Sequence, residues 1–110
     1  MTLLQEMHLR RLEERECRRQ KARESLRQTL DRLVPGQQVI VFGSLVKPGK
    51  FTDESDIDVA LEAEPQGMSI YQLIALLSEE MGRPVDVLLL DECRFREKIL
   101  REGERWIPRG

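Results

Sequence analysis

Val39-Ile40-Val41-Phe42-Gly43-Ser44, followed after residues 45–55 by Asp56-Ile57-Asp58-Val59-Ala60-Leu61, decides how this chain is read. The first run is short, β-branched and apolar, and it stops at a glycine. It reads as a buried strand closed by a turn. The second run alternates with period two. Ile57, Val59 and Leu61 share one face, and Asp56, Asp58 and Ala60 share the other. The intervening residues 45–55, with Pro48 and Gly49 at their centre, read as a loop. Two aspartates spaced by two on a strand project from the same side of a sheet.

Further on, Val85-Asp86-Val87-Leu88-Leu89-Leu90 is almost continuously apolar, the pattern of a strand covered on both faces. Asp86 is then the informative residue, because a buried carboxylate is costly unless it is paired or bound to metal. The plain account pairs it with Arg83 or a helix end. The alternative brings Asp56, Asp58 and Asp86 to one point of the sheet surface. Hard oxygen ligands of that kind suit Mg²⁺ or Mn²⁺, not Zn²⁺, and without a cation they repel one another. Gly43-Ser44 is either an ordinary strand-ending turn or a place where backbone meets ligand. In the second case free N–H groups and the serine hydroxyl hold phosphate oxygens.

Working outward, Ser69-x-x-Gln72 is a capping box. It opens a helix with Ile70, Leu73, Ile74, Leu77 and Met81 on one side, and Gly82 ends it. Asp91 is expected to cap a last helix through Phe95, Ile99 and Leu100, stopping near Gly103. Trp106 and Ile107 are expected to anchor the C-terminus by burial, and Tyr71 is read as a packing residue. Residues 2–33 contain no Gly or Pro and are rich in helix formers. Leu26, Leu30, Leu33 and Val34 mark a core-facing stripe that Leu9 and Leu12 continue weakly, and Pro35-Gly36 end it. The second half of this helix is expected to belong to the fold. The first half projects, pairs with another chain (a homo-oligomer seam included) or frays. Residues 1–34 are thus read as an N-terminal helix and residues 35–110 as the core.

A chain of 110 residues is one domain. Residues 1–34 carry nine Lys/Arg against six Asp/Glu, while residues 35–110 carry nine against fourteen. The acidic core is not a nucleic-acid surface. The basic helix reads as a solvated, ion-paired surface or as a docking face for an acidic partner. Cys17 and Cys93 lie outside any metal-ligand spacing, which suits a reducing, cytoplasmic setting. The single histidine, His8, excludes most His-based metal sites and is read as a surface residue. No run of about 18 apolar residues is present to span a membrane. Leu3 and Leu4 run straight into Glu6, His8, Arg10 and Arg11, unlike a signal peptide.

Val41-Phe42-Gly43-Ser44 followed by Ser55-Asp56-Ile57-Asp58 resembles the signature of the DNA polymerase beta-like nucleotidyltransferases, and is most similar to their minimal (MNT) group. Val85-Asp86-Val87 resembles the strand that brings their third carboxylate. The resemblance covers about residues 25–107. It implies the nucleotidyltransferase fold: an α/β (α+β) domain with a small mixed sheet of at least three strands, flanking helices and here a long N-terminal helix.

The resemblance also implies a Mg²⁺-dependent, two-metal transfer of AMP from ATP. Gly43 and Ser44 would cradle the triphosphate, Asp56 and Asp58 would bind both ions, and Asp86 would bind the ion that activates the attacking hydroxyl. It further implies a HEPN-domain toxin as partner, neutralised by AMP placed on one of its tyrosines. The alternatives are a non-catalytic antitoxin that masks its partner and a transferase acting on a small-molecule hydroxyl. The chain departs from the pattern in two ways. Residues 45–55 are one longer than the usual spacing. The usual arginine-rich segment is replaced by Leu45-Val46-Lys47-Pro48-Gly49-Lys50, where Lys47 or Lys50 would meet phosphate as a point charge or simply face solvent.

Overall fold

A computed structural model describes residues 1–109. The chain runs α1 (Leu3–Leu33), β1 (Val39–Phe42), a 3₁₀ turn (Gly43–Val46), β2 (Ile57–Leu61), α2 (Ile70–Met81) and β3 (Val85–Leu89). A second 3₁₀ turn (Leu90–Glu92), α3 (Arg96–Glu102) and β4 (Glu104–Trp106) complete it. The mixed sheet has the order β3-β2-β1-β4. β1 is antiparallel to both β2 and β4, and β2 is parallel to β3. A parallel pair needs a crossover, and α2 supplies it.

One face of the sheet carries the main core. Val39, Val41, Ile57, Val59, Leu61, Val85 and Val87 pack there against Leu26 and Leu30 of α1 and Leu73 and Leu77 of α2. The opposite face is covered only in part, where α3 lays Ile99 beside Ile40, Ala60 and Leu90. Seven residues of helix span about 10 Å, so α3 shelters β1 and leaves the start of β2 and β3 open.

α1 is capped by Thr2, which forms a reciprocal capping box with Gln5. At 31 residues it is about 46 Å long, which accounts for most of the molecule's 54 Å length. Its second half is clamped to the domain. Arg23 forms a two-armed ion pair with Glu104 at 2.8 Å, and Arg27 stacks on Trp106 with 4.3 Å to the ring centroid. The buried Arg19 donates to the Leu45 carbonyl at 2.8 Å, and Arg18 reaches Asp53 at 3.0 Å. Residues 1–14 are exposed throughout. The first half therefore projects, and it leaves the domain beside the 3₁₀ turn and loop that follow β1.

Several expectations are corrected. β3 is an edge strand and α3 does not fully cover its second face, so Asp86 is exposed and Leu88 and Leu89 are half-buried rather than covered on both faces. β2 begins at Ile57, placing Asp56 in the approach to the strand. Asp91 does not cap α3: Phe95 stands at its N-cap position without a side-chain bond. Trp106 is buried as expected, but Ile107 is exposed, and Tyr71 points into solvent instead of packing. β4 was not foreseen. Glu104-Arg105-Trp106 carries no strand pattern by itself, and its pairing with β1 is a tertiary event.

Candidate active site

The site lies where β1 ends and β2 and β3 begin. Phe42 stands opposite Asp58 in the antiparallel ladder, and Asp58 stands opposite Asp86 in the parallel one. Register partners project to the same side, so the two carboxylates share the sheet face that α3 leaves open. Asp56, two residues before Asp58, is exposed at the rim. The structure thus gathers all three aspartates at one end of the sheet.

Their electrostatics fit a cation site. The Asp58 carboxyl is held above its ordinary value, first by burial and then by the neighbouring charges of Asp86 and Asp56. No Lys or Arg forms a salt bridge with any of the three among the described residues. Arg83, the plain candidate for pairing with Asp86, is engaged elsewhere. It donates to the carbonyls of Thr52 and Ser55 at 3.0 and 2.9 Å and lies over the Phe51 ring. It thereby braces the loop that delivers Asp56. Among the described residues no three His, Cys, Asp or Glu side chains form a ready-made metal cage. That is compatible with Mg²⁺, which takes one or two carboxylates and completes its octahedron with water and phosphate oxygens. Asp56, Asp58 and Asp86 are the residues that would hold it.

Gly43 adjoins this cluster. Its φ is +79°, a region that L side chains rarely adopt. A Cβ placed there would collide with Oδ2 of Asp58. Both the turn and the close approach of backbone to carboxylate therefore require glycine. Ser44 follows, half-buried in the 3₁₀ turn, its carbonyl accepting from the Lys47 N–H at 3.1 Å.

A cleft of about 250 Å³ opens over Gly43 and Asp58, lined also by Phe42, Lys47, Leu88 and, from the α3 side, Cys93, Phe95, Lys98, Ile99 and Glu102. Lys47 is thus brought to the site, while Lys50 is exposed and does not line the cleft. Asp53, beside the motif but given no role by it, is tied to Arg18. Sequence reading missed the α3 wall. Its signal was the spacing of Phe95, Lys98, Ile99 and Glu102, which places them on one helix face.

A model described as polymerase beta, nucleotidyltransferase, matches residues 24–109. The chain belongs to the polymerase beta nucleotidyltransferase family. The match starts inside α1, at residue 24, so it takes in the last part of that helix with Arg27, and the projecting first half precedes it. A solved structure of a toxin-antitoxin with AMP-PNP is similar in fold to this nucleotidyltransferase. The identity is 21% and the TM-score 0.59, over 76% of this chain and 72% of that chain. A comparison with curated proteins gives no match. Among the described residues no helix is long and apolar enough to cross a membrane.

Proposed function

We propose that this nucleotidyltransferase moves AMP from ATP to a hydroxyl on a partner protein, a tyrosine of a HEPN-type RNase toxin, and so acts as its antitoxin. The observation that carries the reading is the placement of Asp58 and Asp86 in register on an open sheet face, against a glycine whose positive φ and close approach to Asp58 disfavour any side chain. The similar fold of a toxin-antitoxin with AMP-PNP supports the nucleotide and the kind of partner.

The chemistry is an in-line displacement. The acceptor hydroxyl gives its proton up at the Asp86 carboxylate, its oxygen attacks the α-phosphorus, the bond to the β-phosphate oxygen breaks, and pyrophosphate leaves with that electron pair. Mg²⁺, when bound by the aspartates, supplies charge stabilisation to attacking and leaving oxygens. The chain's own contributions are positional. Gly43 and Ser44 offer backbone and hydroxyl donors to the phosphates. Asp58, half-buried, fixes the middle of the site. Asp86, on the free edge strand, is the carboxylate an incoming hydroxyl can reach from solvent. Residues 1–34 and 35–110 then divide the work, with the core holding nucleotide and α1 meeting the acceptor.

A specific observation keeps masking by binding alone as the second reading. The projecting half of α1 exposes Leu3, Leu4, Met7 and Leu9, a surface that serves either role. Incubation of the full chain with labelled ATP, Mg²⁺ and the protein encoded beside it separates them. Transfer of label to the partner's tyrosine, lost in Asp58→Asn, is the expected result. Neutralisation of the partner by Asp58→Asn as effectively as by wild type, with no label transferred, establishes masking instead.

A further inference from the structure

Ile99 seats α3 on the sheet, and the residues sharing its helix face, Phe95, Lys98 and Glu102, form one wall of the cleft over Gly43 and Asp58. Lys47, from the turn after β1, lines the same cleft. Neither lysine forms a salt bridge among the described residues. Two uncommitted lysines thus border one cleft together with the Gly43 backbone. Phe95 is an apolar ring left 64% exposed at the start of α3. Its backbone is held in place by its own N–H, which donates to Cys93 Sγ at 3.4 Å.

The size of the cleft decides how a nucleotide would lie. At about 250 Å³ it falls below the roughly 300–1,000 Å³ of pockets that enclose a small molecule. It can hold part of a nucleotide, and the remainder must run along the rim. The phosphates belong with the cations and Gly43, away from the like charge of Glu102. The base is then left to the exposed aromatic face, where stacking is favourable for any base.

We propose that α3 is the nucleoside-recognition wall of this site: Lys98, together with Lys47, holds the polyphosphate, and Phe95 stacks on the base. The proposal rests on the reading of the site as ATP-using and adds two residues that its motif does not contain. Both side chains are exposed, so their replacement leaves the core intact.

The test is calorimetric titration of the full chain with Mg-ATP and, separately, with Mg-tripolyphosphate. Lys98→Ala should weaken both ligands about tenfold, the scale of one charged hydrogen bond, and Lys98→Arg should restore most of the loss. Phe95→Ala should weaken ATP about five- to tenfold, the scale of one base–aromatic stack, and leave tripolyphosphate unchanged. Phe95→Tyr should keep wild-type affinity for both. Wild-type ATP affinity in Lys98→Ala and Phe95→Ala overturns the proposal while the nucleotide reading stands. An equal loss of both ligands in Phe95→Ala also overturns it, since stacking cannot act on a ligand without a base. Failure of the wild-type chain to bind Mg-ATP at all overturns the proposal and the reading beneath it together.

Discussion

Asp58 and Asp86 stand opposite each other in the parallel β2–β3 ladder, their carboxylates on one side of the sheet, and neither forms a salt bridge among the described residues. Such a pair is a cost in the metal-free protein. Burial and the charges of Asp86 and Asp56 both push the Asp58 carboxyl upward. Asp58→Asn should therefore raise the melting temperature of the metal-free chain by roughly 2 °C, the effect of a few tenths of a kcal/mol after solvent screening. The same variant should lose at least about a hundredfold in AMP transfer, the scale of losing a group that stabilises transition-state charge. Asp86→Ala should also lose transfer yet retain part of its Mg-ATP binding. Thermal scans with EDTA and single-turnover assays check both halves.

Gly43 and Gly49 have nearly the same left-handed φ, +79° and +78°, but differ in surroundings. An added Cβ meets nothing within 4 Å at Gly49, whereas at Gly43 it strikes Asp58. Gly49→Ala should cost only the backbone term, about 1 kcal/mol. Gly43→Ala should cost more and should also abolish nucleotide binding, because the carboxylate must move. Ser44→Ala should weaken ATP by roughly 1–2 kcal/mol for one hydrogen bond to a charged group. Urea titration gives the stabilities and calorimetry the affinities. Equal behaviour of the two glycine variants would remove the steric argument.

Residues 1–12 touch nothing that holds the domain together, since they are exposed throughout. Their deletion should leave the melting temperature within roughly 2 °C of wild type, as expected for surface not buried on folding. On the functional reading it should abolish capture of the partner protein and label transfer to it, while Mg-ATP affinity stays unchanged. A truncated chain that binds and modifies the partner normally would make this half of the helix purely structural.

Two carboxylates of the α1 clamps give the acid limb of stability. Arg19, then Gln20, hydrogen-bond Glu16 and lower its pKa from 4.5 to about 2. Arg23, with further help from the Trp106 N–H, also holds the Glu104 carboxyl below its ordinary value. A carboxyl depressed by folding stabilises fully above its unfolded value and loses that contribution as pH falls through the folded one. The Glu16 contact should hold down to about pH 4.5 and then weaken toward about pH 2, and the Glu104 clamp weakens in the same direction on acidification. Circular dichroism across that range should show the acid transition moving to higher pH in Glu104→Gln, which removes the titrating group and leaves Arg23 without an anionic partner.

Local chemistry made much of this legible from residue order. Ser69, Gln72 and Gly82 fixed the ends of α2 because capping needs only near neighbours and a glycine. Val39–Phe42 and Ile57–Leu61 announced themselves by period, and the Gly-Ser and Asp-x-Asp elements lay within and beside those strands. The family match over residues 24–109 agrees with what those motifs imply. Other features had no local signature. β4 is a strand only because β1 offers a free edge to Glu104–Trp106. Asp86 looked buried because its apolar neighbours are silent about sheet order and helix placement; strand order put β3 at the edge, and the short reach of α3 left its carboxylate in the open. Lys98 and Phe95 reach the cleft because Ile99 seats α3 against Ile40, a contact between residues far apart in the chain. Hydrogen bonds and caps close over a few residues and can be read in order. The choice of which strand is an edge and which helix walls a site is made by packing at long range, and it became visible only in the folded chain.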